Sequence, residues 1–263
     1  MSDCGCSRNK LNDYQCLVTK LEKLTEKIVW LSVRCPELAV SVRPGNAVMV
    51  YPSAGLEPLL GRPFGVADAD AVSGEISVCF MTLGRGTTLM STLRAGDTVR
   101  VRGVFGVPFP ADGAKVYFAG GGAGAALFFY MCRLHPTRAA GLYLGVPGRG
   151  YERYAELVRS LIPDAHIFTD DGSFGEGDSM FRVLPKEPGD NEEIWACGPP
   201  GFLRALKKHC AASPEKLFFA LDRHMACGYG GCMGCTVKTV NGLKRLCVDQ
   251  SLFRSDEVAD DEY

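Results

Sequence analysis

The stretch Lys115-Val-Tyr-Phe-Ala119-Gly-Gly-Gly-Ala-Gly124-Ala-Ala decides how the second half of the chain reads. A short apolar run, Lys115–Ala119, has the length of a buried strand. It passes through glycines into a second apolar run, Ala125–Leu134, long enough for a helix. Where a strand hands over to a helix, free backbone N–H groups and the helix dipole make an anion site. The glycines do not spell G-x-G-x-x-G, so the run reads as a nucleotide turn or as a tight packing turn. Its place on a βα turn favours the nucleotide. Further on, strand-like runs at Gly141–Gly145, His166–Thr169 and Glu193–Cys197 alternate with helical runs at Tyr151–Leu161 and Gly201–His209. Strands alternating with helices predict a parallel sheet. The loop Ser173–Glu192 shows no regular pattern.

The first half reads differently. Six β-rich runs, Tyr14–Lys20, Ile28–Arg34, Ala47–Pro52, Phe64–Asp68, Glu75–Met81 and Thr98–Val104, are separated by breakers such as Arg43-Pro44-Gly45-Asn46 and Ala95-Gly96-Asp97. That spacing predicts a small closed barrel. One helical run, Thr87–Leu93, follows Gly84-Arg85-Gly86.

Four of the 12 cysteines fall within 21 residues, as Cys227-Gly-Tyr-Gly-Gly-Cys232-Met-Gly-Cys235 and then Cys247. C-x4-C-x2-C…C is the ligand spacing of a plant-type [2Fe–2S] cluster. Gly228, Gly230, Gly231 and Gly234 let the loop wrap closely and turn its amides toward cluster sulfur. A structural zinc site more often pairs two short knuckles; here three cysteines share one loop and the fourth stands alone. Cys4 and Cys6 lie in a polar tail, and Cys16, Cys35, Cys79, Cys132, Cys197 and Cys210 are scattered.

Composition sets limits. A net charge of −1 over 263 residues lacks the basic face a nucleic acid needs. No apolar run approaches the ~20 residues of a membrane span, and Met1–Lys10 has no signal-peptide core. A cytoplasmic protein with reduced thiols is expected.

Two weaker motifs lie in the barrel half. Arg62-Pro63-Phe64-Gly65 places at the start of a β-run an arginine able to hold a pyrophosphate; alone it reads as a solvated residue. Gly84-Arg85-Gly86-Thr87 suits phosphate at a helix start, or is an ordinary start with Thr87 as N-cap.

The order of these signals resembles the ferredoxin–NADP reductase superfamily. Met225-Ala-Cys227 through Cys235, followed by Lys244-Arg245-Leu246-Cys247-Val248-Asp249, resembles more closely the electron-transfer subunits of class B dihydroorotate dehydrogenases. The resemblance covers about Tyr14 to Arg254. It implies an α+β chain of three domains: an FAD-binding antiparallel six-stranded β-barrel (1–110), an NAD-binding α/β parallel-sheet domain (111–212) and a small [2Fe–2S] domain (213–263). It implies that Arg62, Pro63, Phe64, Gly65, Cys79, Phe80, Met81, Gly86 and Thr87 bind the flavin. Gly120, Gly121, Gly122, Gly124, Asp171, Cys197, Gly198 and Pro199 would face the nicotinamide nucleotide, and Cys227, Cys232, Cys235 and Cys247 would ligate iron. Two positions depart from the family. Gly65 stands where serine is usual, and Met81 where arginine is common.

The implied function is electron transfer. An FMN-containing dihydroorotate dehydrogenase catalytic subunit, assembled with this chain as a heterotetramer, would pass electrons through the cluster and FAD to NAD⁺. No residue here would be catalytic in the acid–base sense. His135, His166, His209 and His224 read as surface or packing residues. Tyr229, Met233 and Met225 are expected either to meet the partner or to pack locally. A subunit of another NAD(P)H-linked complex, such as a ferredoxin–NADP or sulfide oxidoreductase, is the alternative enzyme; an iron–sulfur redox sensor is the alternative without turnover. No acidic residue directly ends strand Gly141–Gly145, and Arg149 and Arg153 follow it, so the sequence leaves NAD and NADP open.

Overall fold

A computed structural model describes residues 11–52, 55, 57–177 and 179–263; Cys4 and Cys6 lie outside the described residues. Strands β1 (Asn12–Lys23), β2 (Ile28–Arg34), β3 (Ala47–Tyr51), β4 (Arg62–Asp70), β5 (Glu75–Met81) and β6 (Thr98–Phe105) close into a barrel in the order β1-β2-β5-β4-β3-β6. All its pairings are antiparallel. The alternation that predicts β6 is visible in its burial, where Val99, Val101 and Gly103 are buried and Arg100 and Arg102 less so, while Phe105 at its end is buried on the other side of the barrel wall. Asp13 of β1 takes Arg102 at 2.7 Å and Arg100 at 3.3 Å across the closing seam.

The expected parallel sheet is present. β7 (Lys115–Gly121), β8 (Ala139–Val146), β9 (His166–Thr169), β10 (Glu192–Cys197) and β11 (Leu217–Phe219) run parallel in the order β11-β10-β7-β8-β9. A further strand, β14 (Phe253–Arg254), adds antiparallel to β11. Between them the chain forms the two-stranded hairpin of β12 (Thr236–Thr239) and β13 (Gly242–Arg245), which carries the cysteine loop. The parallel sheet thus ends in two strands contributed from beyond residue 213.

Three local readings are corrected. The helix expected over Ala125–Leu134 is a 3-10 turn, Gly122–Phe128, leading into a short α-helix, Phe129–Leu134. Gly120 explains this: a Cβ there would lie 2.2 Å from Ala125 Cβ, so the chain curls tightly back onto its own strand. Thr87 is not an N-cap. It sits in the first turn of helix Arg85–Met90, where its hydroxyl accepts from the Leu83 and Gly84 amides and donates to Gly84 O. The irregular loop after Gly172 contains a one-turn helix, Met180–Val183.

Two packed layers join the parts. Leu24, Ile28 and Trp30 of the barrel share a core with Phe118, Phe128 and Trp195 of the sheet. Met49, Tyr51 and Phe105 on the other side of the barrel share one with Cys235, Val237, Leu246 and Cys247. The Gly106 amide donates to Cys247 O at 3.0 Å. Phe105 is 5% exposed and lies beside Gly228, where a Cβ would fall 3.3 Å from its ring. Phe105→Ala should therefore cost about 3–5 kcal/mol of stability. It should also speed iron loss, read by urea denaturation and by cluster absorbance on the same sample.

Candidate functional site

The barrel and the parallel sheet enclose a cleft of about 1560 Å³. That exceeds the ~300–1,000 Å³ that suits one drug-sized ligand, as two dinucleotides laid end to end require. Its walls include Pro63, Phe64, Gly65, Cys79, Phe80, Met81 and Thr87 from the barrel side. From the sheet side come Gly121, Gly122, Gly124, Asp171, Cys197, Gly198 and Pro199. Arg62, Gly86 and Gly120 stand behind the wall. Arg62 and Gly86 meet there: a Cβ on Gly86 would strike the Arg62 guanidinium at 2.5 Å. Arg62 Nη1 also donates to Leu60 O at 2.6 Å. The bare backbone at 86 is what lets this cation lie against the start of helix Arg85–Met90, where a pyrophosphate fits. The Phe64 and Phe80 rings, 5.2 Å apart, make an apolar floor beside it. The barrel side therefore fits a flavin dinucleotide.

Gly65 has a physical explanation here. A Cβ at this position would lie 2.3 Å from Leu127 Cδ1, so the Leu127 side chain covers the place where a serine would stand. Leu127 lines the same cleft and gives no signal in the sequence. The turns after β7 and β10 are tighter still. A Cβ on Gly124 would meet Cys197 O at 2.6 Å, and one on Gly198 would meet the Gly121 amide nitrogen at 2.9 Å. The turn after β7 and the turn after β10 thus touch backbone to backbone. Tyr154, fully buried below, donates its hydroxyl to Gly122 O at 3.1 Å. Burial pushes the Cys79 and Cys197 thiols up to about 12, so both stay protonated in the cleft. None of the four histidines lines it; His166 pairs with Glu176 and stacks on Tyr143, and His209 reaches Leu184 O.

The cysteine loop closes one end. Met225 and Leu246, neighbours of Cys227 and Cys247, line the cleft. Among the described residues no three His, Cys, Asp or Glu side chains converge on a single point. The four sulfurs instead form two pairs. Cys235 and Cys247 are buried with sulfurs 3.3 Å apart. Cys227 and the exposed Cys232 form the outer pair, the Cys232 amide donating to Cys227 Sγ at 3.4 Å. A two-iron cluster takes its thiolates in such pairs. The Gly234 amide donates to Cys232 Sγ at 3.5 Å. That bond, with Cys227 beside it, draws the Cys232 thiol down to about 7, whereas burial pushes Cys247 up to about 12. Gly228, Gly230 and Met233 adopt positive φ, which folds the loop inward. Arg245 grips Asp249 through two nitrogens at 2.8 Å and donates to Gly230 O at 2.9 Å, fastening the loop's rim. The donor set fits an iron–sulfur cluster.

Comparisons with known proteins agree. Residues 222–259 match the family model of the iron-sulfur cluster binding domain of dihydroorotate dehydrogenase B. The chain is 31% identical over 234 residues to the dihydroorotate dehydrogenase B (NAD(+)) electron transfer subunit of Lysinibacillus sphaericus, covering 85% of this chain and 90% of that one. This chain belongs to the dihydroorotate dehydrogenase B electron transfer subunit family. A homolog from Aquifex aeolicus is 30% identical over 234 residues, covering 87% of this chain and 91% of that one. Among solved structures, an NADH-dependent reduced ferredoxin-NADP oxidoreductase superposes with a TM-score of 0.77 at 23% identity, over 95% of this chain and 91% of that one. A Neisseria gonorrhoeae ferredoxin NADP⁺ reductase with bound FAD and NADP superposes at 0.60 and 16% identity, over 76% and 91%. These two share the fold.

Two sets of variants test the site. Gly124→Ala forces backbone against backbone and should cost about 1–3 kcal/mol and weaken NADH oxidation. Gly65→Ser displaces only the flexible end of Leu127 and should cost less, with flavin retained; urea melts and flavin content separate the two. Cys235→Ser and Cys247→Ser should each abolish the cluster's visible absorbance while the flavin spectrum persists, read by iron and flavin assays on anaerobically purified protein.

Proposed function

We propose that this chain receives electrons from a partner dihydroorotate dehydrogenase and delivers them to NAD⁺, with a [2Fe–2S] cluster and FAD between. The observation that carries the reading is the single cleft. Residues flanking Cys227 and Cys247, the Phe64–Phe80 floor and the Cys197-Gly198-Pro199 turn all line it. When bound, a cluster moves electrons singly, a nicotinamide takes a hydride, and a flavin does both.

The chain's own residues position and shield these groups. Arg62, Gly86 and Thr87 would hold the flavin pyrophosphate. Pro63, Phe64, Gly65, Cys79, Phe80 and Met81 would flank its ring and exclude water. Gly120 shapes the turn from behind, and Gly121, Gly122, Gly124, Asp171, Cys197, Gly198 and Pro199 would seat the nicotinamide nucleotide. Cys227, Cys232, Cys235 and Cys247 would hold the iron. We take residues 1–110, 111–212 and 213–263 as the flavin, nucleotide and cluster domains. Proton abstraction from dihydroorotate would fall to the partner. Free cysteines throughout the described residues support a reducing, cytoplasmic setting. No helix of the described residues is long and apolar enough to cross a membrane.

The outer pair of sulfurs marks the partner's approach. Tyr229 is 64% and Met233 48% exposed beside it, and exposed aromatic and methionine side chains are typical interface anchors. Tyr229→Asp with Met233→Lys should weaken binding of the catalytic subunit at least about tenfold without lowering dye reduction by NADH. Unchanged binding would place the interface elsewhere. The direct test of the function is co-purification with the partner, followed by dihydroorotate and NAD⁺. NADH formation that needs both chains supports the reading, and its absence sinks it.

A further inference from the structure

Two cysteines of the barrel line neither the cleft nor the iron site. Cys16 lies on β1, and Cys35 directly follows the last residue of β2. The antiparallel register sets Leu17 opposite Arg34. One step further along, it sets Cys16 opposite Cys35. The backbone of Cys35 is engaged away from β1. Its amide donates to Gly74 O at 2.8 Å, and its carbonyl accepts the Leu38 amide at 3.1 Å and the Ala39 amide at 3.0 Å. Cys16 and Cys35 thus face each other without ladder hydrogen bonds, the closer kind of cross-strand pair, with Cα atoms about 4.5 Å apart. A disulfide spans Cα separations of roughly 4.4–6.8 Å. Both side chains enter the same buried core, Cys16 at 0% and Cys35 at 3% exposure.

The two thiols are chemically unequal. The Cys16 thiol and the Leu38 amide both turn a hydrogen toward the Cys35 sulfur. Together they draw the Cys35 thiol below its ordinary value, against burial and the Glu37 carboxylate 3.8 Å away. The same contact, with burial, pushes the Cys16 thiol up. Cys35 is the better nucleophile of the two, and Cys16 waits protonated beside it. Glu37 is exposed, so the Cys35 sulfur lies one side chain below the surface, within reach of a small neutral oxidant. Cys132 and Cys210 offer a contrast. They are buried in separate cores, and burial pushes their thiols up to about 12 and about 11.

We propose that Cys16 and Cys35 form an oxidation site, at which hydrogen peroxide converts the two thiols into a disulfide that staples β1 to the end of β2. The Cys35 sulfur attacks one peroxide oxygen and the O–O bond breaks. The thiol proton leaves with the other oxygen as water, and Cys35 becomes a sulfenic acid. The Cys16 sulfur then displaces that hydroxyl. The S–S bond forms, and the hydroxyl leaves with the Cys16 proton as a second water. The two thiols give up two electrons, and the peroxide takes them. Cys16 also faces Val99 of β6, so a staple on β1 braces the seam that closes the barrel. By closing the loop between residues 16 and 35 it restricts the unfolded chain.

The test is a peptide map of the full chain, loaded with FAD and iron, exposed to graded hydrogen peroxide and then alkylated under denaturing conditions. The peptides carrying Cys16 and Cys35 should appear joined and two hydrogens lighter at doses that leave Cys132 and Cys210 as thiols. Dithiothreitol should part them. Cys16 and Cys35 recovered as separate alkylated thiols once Cys132 or Cys210 is oxidised overturns the proposal, as does either of them joined to another cysteine. Neither result needs a variant. Cys16→Ala should leave Cys35 as a sulfenic acid that dimedone captures, and Cys35→Ala should leave Cys16 unlabelled; the reverse pattern overturns the order of steps. Peroxide-treated protein should unfold at a higher urea concentration before dithiothreitol than after it, and the shift should vanish in Cys16→Ala. Equal midpoints before and after dithiothreitol overturn the staple.

Discussion

The packed contact between Phe105, Met49 and Tyr51 of the barrel and Cys235, Leu246 and Cys247 of the cysteine loop is the constraint on which the rest depends. Electron transfer falls steeply with separation, so a cluster useful to a flavin must be held at one fixed distance from it. A close-packed apolar layer does this better than surface ion pairs, because its side chains have few alternative arrangements. The buried sulfur pair is built into this layer, and the Gly106 amide ties Cys247 to the end of β6. The outer pair is left at the surface, where a partner can approach. From the other side, β14 clamps the same segment onto the parallel sheet through β11. The cysteine loop is thus braced against both larger parts.

Glycine does the corresponding work inside the cleft. At Gly124 and Gly198 the two turns of the parallel sheet come together with no room for a side chain. At Gly86 a bare backbone admits the Arg62 guanidinium. At Gly65 the space a serine would fill is taken by Leu127, which reaches over from the 3-10 turn of the other domain. The barrel and the sheet are therefore fitted to each other at the point where their two ligands would meet. The departure at Gly65 and the shape of the glycine-rich turn are one adaptation rather than two.

Much of this was legible in the residues. The boundaries of Ile28–Arg34, Glu75–Met81 and His166–Thr169 follow directly from β-rich runs cut by turn residues. The spacing of Cys227, Cys232, Cys235 and Cys247 points to iron before any coordinates are seen. What the sequence hides are non-local pairings. Leu217–Phe219 and Phe253–Arg254 are too short to announce themselves, and they become strands because they find partners on an existing edge. Asp171 looks remote from β8 in the chain, and only the parallel pairing of β9 brings it over Gly148. Leu127 reads as one more apolar residue in a helical run. It gains its place over Gly65 because crowding at Gly120 turns that run into a 3-10 segment.

On this reading one cleft links the nicotinamide site, the flavin site and the residues flanking the four sulfurs. The most direct measurement is anaerobic reduction of the full chain, loaded with FAD and iron, by NADH in a stopped-flow spectrometer without any mediator. Flavin and cluster absorbances should bleach together within a single turnover. A flavin that bleaches while the cluster responds only after a mediator dye is added would contradict it.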